Sequence, residues 1–164
     1  MPRSVFALLL AVAALAVAAG PASGQRQRLS MDPGWRFTLG DPAGAEQPGF
    51  DDHEWRRLDL PHDWSIEGTP RQDAPGGGRA GYFPTGTGWY RKAFRLPAGA
   101  HGHRAWLEFD GVYMNGDVWI NGVHLGRRPF GYIGFAYDIT PHLLAGVNVV
   151  AVRVDNARQP NSRW

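Results

Sequence analysis

The sequence predicts an all-β domain, a jelly roll or a related two-sheet sandwich of about eight short antiparallel strands. It contains 22 glycines, 13 prolines and 12% aromatic residues, a composition that favours short strands and tight turns over long helices. After residue 24, no window keeps an apolar period of 3.6 residues, apart from a short turn near residues 141–144. Asn121-Gly122 stands between two apolar runs and is the pair that a type I′ hairpin turn prefers, which predicts a hairpin over residues 117–127.

The remaining strands are short runs of β-branched or aromatic residues bounded by Gly, Pro, Asn or Asp. In chain order the predicted strands are residues 35–39, 57–61, 88–97, 104–109, the two arms of the hairpin, 134–138 and 148–155. In the fourth strand, Ala105, Leu107 and Phe109 share one face because side chains alternate along a strand. Four tryptophans lie within strands and are predicted to be core residues: Trp35, Trp89, Trp106 and Trp119.

The N-terminus has the features of a secretory signal peptide. Arg3 precedes an uncharged apolar run over residues 5–19, and the small residues 22–24 suit cleavage by a signal peptidase. The run is shorter than the ~20 residues that span a bilayer, although an uncleaved anchor is the alternative. We expect residues 1–24 to be removed, leaving residues 25–164 as a secreted or periplasmic bacterial domain with no membrane association.

Charge and cysteine content exclude several classes of protein. The chain has no cysteine, which rules out disulfides, a thiolate metal site and a cysteine nucleophile. Its 17 basic and 15 acidic residues nearly balance, and the arginines are scattered, so we expect no nucleic-acid partner. His53, His62 and Asp63 have no convincing metal-ligand spacing, and we interpret the histidines as structural. No metal or cofactor is predicted.

Residues 65–87 form the one long stretch without periodicity. The stretch is rich in Gly and Pro, yet it also contains the aromatic pair Tyr82-Phe83. Loops longer than about 12–15 residues within a compact domain are usually either functional or disordered. The glycines favour a floppy excursion and the aromatic pair favours a loop that reaches a ligand or a neighbouring domain, so both interpretations stay open.

Five motifs in a fixed order resemble the N-terminal sugar-binding domain of glycoside hydrolase family 2, in particular that of bacterial β-galactosidases. They are residues 58–64 (LDLPHDW), 86–92 (GTGWYRK), 109–113 (FDGVY), 118–122 (VWING) and 159–164 (QPNSRW). The resemblance covers about residues 30–164 and implies a galactose-binding-like jelly roll. In the family, this domain precedes an immunoglobulin-like sandwich and a TIM barrel, so the resemblance implies that residues 25–164 are C-terminally incomplete.

The resemblance places catalysis outside this chain. In the family, the barrel carries two glutamates, the acid/base and the nucleophile of a retaining mechanism, and neither maps onto a residue here. Retaining hydrolysis needs two carboxyl groups about 5–5.5 Å apart. The adjacent pair Asp51-Asp52 is instead typical of a polar turn, since neighbouring side chains point to different sides. We therefore predict no catalytic residue in this chain and no activity for residues 25–164 alone.

The predicted site residues lie in the motifs and in the long loop. The carboxylate of Asp63 is a candidate acceptor for a sugar hydroxyl or, equally, a cap for the following turn. Trp64, Tyr82 and Trp164 lie in predicted loops, where an aromatic face can stack on a sugar ring. Arg163 is predicted to border the same subsite.

Two functions are compatible with these features. The first is the carbohydrate-binding domain of a secreted retaining exo-glycosidase, a β-galactosidase acting on terminal β-linked sugars. In that case we expect an intramolecular contact with the barrel, for which residues 127–132 are a candidate loop. The second is a free-standing carbohydrate-binding module without catalysis. Members of the family with this domain also include β-glucuronidases and β-mannosidases, so the sugar stays open.

Overall fold

The computed structural model of the protein describes residues 26–100 and 102–157. The chain divides into two compact units, Met1–Met31 and Asp32–Trp164, and every element named below belongs to the second. The predicted signal peptide lies outside the described residues. Within them, no helix combines the length and the apolar character that a membrane crossing requires.

Eight strands account for most of the regular structure in the described residues. In chain order the elements are β1 Trp35–Leu39, β2 Arg56–Leu58, α1 Trp64–Glu67, a 3₁₀ turn Gly77–Ala80, β3 Thr87–Phe94, β4 Trp106–Phe109, β5 Gly116–Ile120, β6 Val123–Arg128, β7 Phe135–Asp138, a 3₁₀ turn Thr140–His142 and β8 Asn148–Asp155. All strand pairs are antiparallel. The predicted all-β fold of about eight antiparallel strands is confirmed.

The strands form a six-stranded sheet in the order β2-β1-β3-β8-β5-β6 and a two-stranded sheet of β4 and β7. Alternate residues of the central strands are buried and supply much of the core: Phe37, Tyr90, Val118, Ile120, Val150, Val152 and Val154. The small sheet contributes the buried Leu107. Tyr137 of the small sheet packs against Gly126 of β6. A Cβ at Gly126 would stand 3.0 Å from the Tyr137 hydroxyl oxygen, so the absence of a side chain there leaves room for the phenol ring.

The hairpin between β5 and β6 is built on Asn121-Gly122, as predicted. Asn121 has φ 51° and Gly122 has φ 83°, the positive values that a type I′ turn requires. The Asn121 side chain also donates to the carbonyl oxygen of His142 and to Oδ1 of Asn148, both at 2.8 Å. Its Oδ1 accepts from the N–H of Val149 at 2.8 Å. Asn121 therefore ties the hairpin to the start of β8 as well as making the turn.

The second face of the large sheet is covered by the segment 41–55, which a buried arginine holds in place. Arg91 is 2% exposed and donates to Asp52 at 2.9 Å. It also donates to four backbone carbonyls of that segment, those of Ala45, Gln47, Pro48 and Phe50. Beside it, the rings of Trp89 and Trp119 stack with centroids 5.1 Å apart. The segment thereby adds a third layer at this face.

Two sequence predictions need correction. Trp106 is not a core residue, because it is 51% exposed with the guanidinium of Arg104 5.4 Å above its ring. The alternation that points Leu107 inward turns Trp106 outward. The second predicted strand also ends at Leu58, because the Asp59 side chain accepts from the N–H of Gly34 at 2.7 Å. Trp35 and Trp89 are buried as predicted, and Trp119 is partly buried.

Candidate functional site

The loops 110–115 and 129–134 meet at the end of the large sheet where β8 finishes, here called the loop end. The N–H of Asp155 donates to the carbonyl oxygen of Met114 at 3.0 Å. The Asn115 side chain donates to the carbonyl oxygen of Asp155 at 3.2 Å, and its N–H donates to that of Pro129 at 3.3 Å. The loop 110–115 is therefore fastened to the last residue of β8, and the loop 129–134 is fastened to it through Asn115.

The segment 62–86 joins the loop end through Asn156, the residue that follows β8. The N–H of Gly86 donates to Oδ1 of Asn156 at 2.8 Å, and the N–H of Asn156 donates to the carbonyl oxygen of Gly86 at 3.0 Å. The Asn156 amide also donates to Oγ of Ser65 at 3.0 Å. One side chain thus holds both ends of the segment, a role that sequence reasoning missed.

Asp63 is placed as the N-cap of α1. Its Oδ1 accepts from the N–H of Ser65 at 2.9 Å, which satisfies one of the unpaired donors of the first turn. The capping alternative for Asp63 is therefore what the structure shows. Burial raises the pKa of the nearby Tyr90 hydroxyl well above its usual range, and the negative charge of Asp63 raises it further.

Trp64 lies in the core and does not present the free ring face expected from the sequence. It is 8% exposed, and its ring stacks on Phe37 with centroids 5.7 Å apart. The absence of a side chain at Gly88 makes room for it, since a Cβ there would stand 3.2 Å from the indole ring. Its buried Nε1 has no hydrogen-bond partner among the described residues, and the same holds for Oγ1 of Thr85.

His62 is a structural residue that links β2, α1 and β3. Its Nδ1 lies 2.8 Å from the hydroxyl of Tyr90, and its Nε2 lies 2.6 Å from Nη2 of Arg56. The same Nε2 lies 3.2 Å from Oε1 of Glu67. Arg56 also pairs with Glu67 at 2.8 Å, and this hydrogen bond lowers the pKa of the Glu67 carboxyl. Among residues 26–100 and 102–157, no group of three His, Cys, Asp or Glu side chains is arranged to hold a metal ion.

The loop around Tyr82 is closed on itself by backbone hydrogen bonds. The N–H of Arg71 donates to the carbonyl oxygen of Tyr82, and the N–H of Tyr82 donates to that of Gly77, both at 2.9 Å. Tyr82 has φ 63°, and its side chain is about half exposed. The exposed ring keeps the ligand-facing interpretation of this loop open. The other two predicted site residues, Arg163 and Trp164, lie outside the described residues.

The sequence pattern of the family described as "Glycosyl hydrolases family 2, sugar binding domain" matches residues 80–163, half of the chain. The chain belongs to this family. It is 57% identical over 140 residues to a β-galactosidase of Bacteroides ovatus, a match that covers 85% of this chain and 16% of the relative. It is 44% identical over 140 residues to a putative β-glucuronidase of Formosa agariphila, covering 85% of this chain and 14% of the relative.

Solved structures of family 2 proteins share the fold. A β-glycosidase from Bacteroides vulgatus superposes with a TM-score of 0.80 at 45% identity, covering 85% of this chain and 18% of that one. A β-glucuronidase of Bacteroides uniformis gives 0.74 at 34% identity, covering 84% and 16%. The chain therefore spans about one sixth of the length of these relatives, and it corresponds to their family 2 sugar-binding domain.

Proposed function

We propose that this chain is the N-terminal carbohydrate-binding domain of a secreted retaining exo-glycosidase, a β-galactosidase that removes terminal β-linked sugars from oligo- or polysaccharides. The observation that carries the proposal is the 57% identity to the β-galactosidase of Bacteroides ovatus, against 44% to the putative β-glucuronidase over the same number of residues. The catalytic glutamates belong to a barrel that follows in the same polypeptide, and this domain contributes to the sugar subsite and contacts that barrel.

The loop end is the part of the domain suited to that contribution. The segment 62–86 joins the loop end through Asn156, which bonds Gly86 and Ser65. This segment carries Asp63 and the exposed ring of Tyr82. In this proposal, Arg163 and Trp164 complete the subsite.

A β-glucuronidase is the second candidate function. It is favoured by the names of the Formosa agariphila relative and of the Bacteroides uniformis structure, which are 44% and 34% identical to this chain. The two functions differ in the sugar, because a glucuronide carries a carboxylate that a galactoside lacks. A free-standing module without catalysis is the non-enzymatic alternative.

The decisive experiment measures kcat/KM of the full-length gene product with chromogenic β-galactoside and β-glucuronide side by side. We expect the galactoside to be preferred by roughly ten- to a hundredfold, the range that one charged hydrogen bond controls. A preference for the glucuronide would replace the first function by the second. Residues 25–164 alone serve as the control and should turn over neither substrate, because they lack the carboxyl pair of a retaining mechanism.

Export is tested separately from catalysis. We expect the protein to be recovered from the periplasm or the medium with an N-terminus created by cleavage after residue 24. N-terminal sequencing of the recovered protein checks this. A chain that retains residues 1–24 and sediments with membranes would instead support the uncleaved anchor.

A further inference from the structure

The outer face of the small sheet carries one large exposed ring among charged side chains. Side chains alternate along a strand, so Trp106 and Glu108 of β4 point away from the side on which Leu107 is buried. Antiparallel pairing places Asp138 opposite Trp106 and Ala136 opposite Glu108, on the same face. We call this surface the Trp106 face, and it consists of Arg104, Trp106, Glu108, Ala136 and Asp138.

The indole of Trp106 lies beside a hydrogen-bond donor and a hydrogen-bond acceptor. The ring is 51% exposed, and the guanidinium of Arg104 lies 5.4 Å from its centroid. Arg104 also donates to Oδ2 of Asp138 at 2.7 Å. An apolar ring and two groups of opposite charge are therefore neighbours on one exposed surface.

Backbone and side-chain hydrogen bonds fix the strand ends that carry these groups. Oδ1 of Asp138 accepts from the N–H of Thr140 at 3.0 Å, and Oγ1 of Thr140 accepts from the N–H of Ala105 at 2.9 Å. The N–H of Ile139 donates to the carbonyl oxygen of Ala105 at 3.0 Å. The residues on either side of Trp106 and Asp138 are thus joined, and a preorganised surface loses little conformational entropy when a ligand binds.

The mixture of one ring with charged groups selects a sugar over a protein partner. The core of a protein interface is depleted of charged residues and needs several apolar side chains, whereas Trp106 is the one large apolar side chain of the Trp106 face. A hexopyranose has an apolar face of C–H groups and a rim of hydroxyls that both donate and accept. An aromatic ring with a few placed polar groups matches both features.

The Trp106 face is separate from the candidate site at the loop end. Strand β4 runs from Trp106 to Phe109, and the loop 110–115 follows it. Trp106 is therefore three residues, or about 10 Å, from the start of that loop. It also lies outside all five sequence motifs, so the resemblance to the family assigns it no role.

We propose that the Trp106 face is a second carbohydrate site, which binds β-linked hexopyranose units of a polysaccharide. A sugar ring stacks on the indole, and its hydroxyls bond to Arg104 and Asp138. The site keeps the enzyme on a polymer while terminal sugars are removed elsewhere, because attachment at one point raises the effective concentration at the other. The choice of a β-linked polysaccharide rests on the proposed function, whereas the arrangement of the face does not.

Affinity electrophoresis of the full-length protein tests the proposal. Native gels that contain a soluble β-linked galactan or hydroxyethylcellulose should retard the wild type. Trp106→Ala should weaken the apparent affinity by about tenfold, the scale for removing a tryptophan from the centre of a contact. Leu144→Ala is the matched control, because Leu144 is 52% exposed but has no ring, and it should migrate as the wild type does. Absence of retardation in both gels, or equal retardation of wild type and Trp106→Ala, would overturn the proposal.

Hydroxyl-radical oxidation of the wild type provides a measurement that needs no substitution. The oxidation of Trp106 is divided by that of Leu144, which corrects for radicals that the polysaccharide consumes. This ratio should fall when the galactan is added. If Trp106 is already protected without polysaccharide, another domain covers the face, or a second copy does where dilution removes the protection. Either result would overturn the proposal.

Hydrolysis of a chromogenic β-galactoside separates this proposal from the proposed function. The kcat/KM of Trp106→Ala should equal that of the wild type, since a small substrate does not extend to the Trp106 face. An active wild type that no polysaccharide retards would overturn the second site and leave the proposed function intact. A protein that is retarded through Trp106 but hydrolyses neither glycoside would overturn the proposed function and support the second site.

Discussion

Asn156 and Gly86 exchange two hydrogen bonds where β8 ends and β3 is about to begin. The N–H of Gly86 donates to Oδ1 of Asn156 at 2.8 Å, and the N–H of Asn156 donates to the carbonyl oxygen of Gly86 at 3.0 Å. The same side chain reaches Ser65. Asn156 therefore fastens the segment 62–86 near both of its ends, and it lies outside all five sequence motifs.

Asn156→Ala should destabilise the domain by about 1–3 kcal/mol, because it leaves the N–H of Gly86 without its side-chain acceptor in a partly buried position. Asn156→Asp should cost less, since a carboxylate still accepts from Gly86 and can accept from the Ser65 hydroxyl in place of the amide that donates to it. Urea unfolding of both variants measures the difference. Equal stability of wild type and Asn156→Ala would show that the segment is held by other contacts.

Arg91→Lys should destabilise the domain by about 1–3 kcal/mol, the range for leaving a buried acceptor without its donor, although lysine keeps the positive charge. A lysine has three donors in place of five and cannot reach Asp52 and the four carbonyls of segment 41–55 together. Hydrogen exchange should also become faster in that segment.

The matched control for this prediction is Arg104→Lys. Arg104 pairs with Asp138 at 2.7 Å but is mostly exposed, so its replacement should change the free energy of unfolding by less than about 1 kcal/mol. Chemical denaturation of both variants makes the comparison. Similar losses in the two would mean that the buried network of Arg91 adds nothing beyond a surface pair.

Gly122→Val should destabilise the domain by ~1 kcal/mol or more, because a β-branched residue resists the φ of 83° at this position. A new Cβ would also approach Cδ of Pro48 to 3.2 Å. Gly49→Val is the control, since Gly49 has no positive φ and nothing lies within 4 Å of its built Cβ. Melting temperatures of the two variants give the test, and an unchanged value for Gly122→Val would argue against the strained turn.

The parts of the fold that depend on neighbouring residues could be predicted from the sequence. Asn121-Gly122 favours the turn by its local backbone preference, and the alternation over 148–155 predicts a strand with Val150, Val152 and Val154 on one buried face. Alternation alone does not say which face is buried, and for this reason the sequence predicts Trp106 in the core although it is 51% exposed. The sequence predicts a loop at Trp64 because a four-residue helix is too short to show a period.

The candidate site was harder to predict because its bonds join residues far apart in the chain. Asn156 lies 70 residues from Gly86 and 91 from Ser65, and no local pattern indicates such pairs. The capping role of Asp63 is local and was among the stated alternatives. The contact between loops 110–115 and 129–134 depends in the same way on the approach of Gly131 to Tyr113, across two loops separated by a hairpin.

Asp138 should make the stability of the domain depend on pH in the acid range. Three hydrogen bonds lower the pKa of the Asp138 carboxyl from 3.8 to about 2. The largest effect comes from the Thr140 side chain, the next from Arg104 and the smallest from the backbone N–H of Thr140. A lowered pKa stabilises the folded state above the unfolded value, so this contribution is present above about pH 4 and is lost as the pH falls to about 2.

The test of this pH dependence compares urea unfolding of wild type and Asp138→Asn across the same range. Asparagine still accepts from Thr140 and cannot ionise. The stability advantage of the wild type should therefore shrink as the pH falls from about 4 to about 2. An advantage that stays constant over this range would assign the effect of the substitution to packing and not to the carboxylate charge.

In the full-length enzyme, we predict that Asp63 and Arg163 border the subsite for the non-reducing-end sugar. Loss of a charged hydrogen bond from a buried subsite costs about 1.5–3 kcal/mol, or roughly ten- to a hundredfold in kcat/KM. Asp63→Asn is the informative change, because asparagine caps a helix as well as aspartate and so preserves the bond to Ser65 while removing the charge. Arg163→Lys keeps the charge and removes the planar fork of donors.

Active-site titration counts the folded molecules in each variant, which separates a weakened subsite from a weakened fold. Asp73→Asn is the matched control, since Asp73 lies in the same segment and pairs with Arg71 at 2.7 Å on the surface. If Asp63 merely caps α1, then Asp63→Asn and Asp73→Asn should behave alike. A kcat/KM per titrated site within ~threefold of wild type for both Asp63→Asn and Arg163→Lys would remove the two residues from the subsite. A loss confined to these two variants would place the loop end of this domain against the reacting sugar.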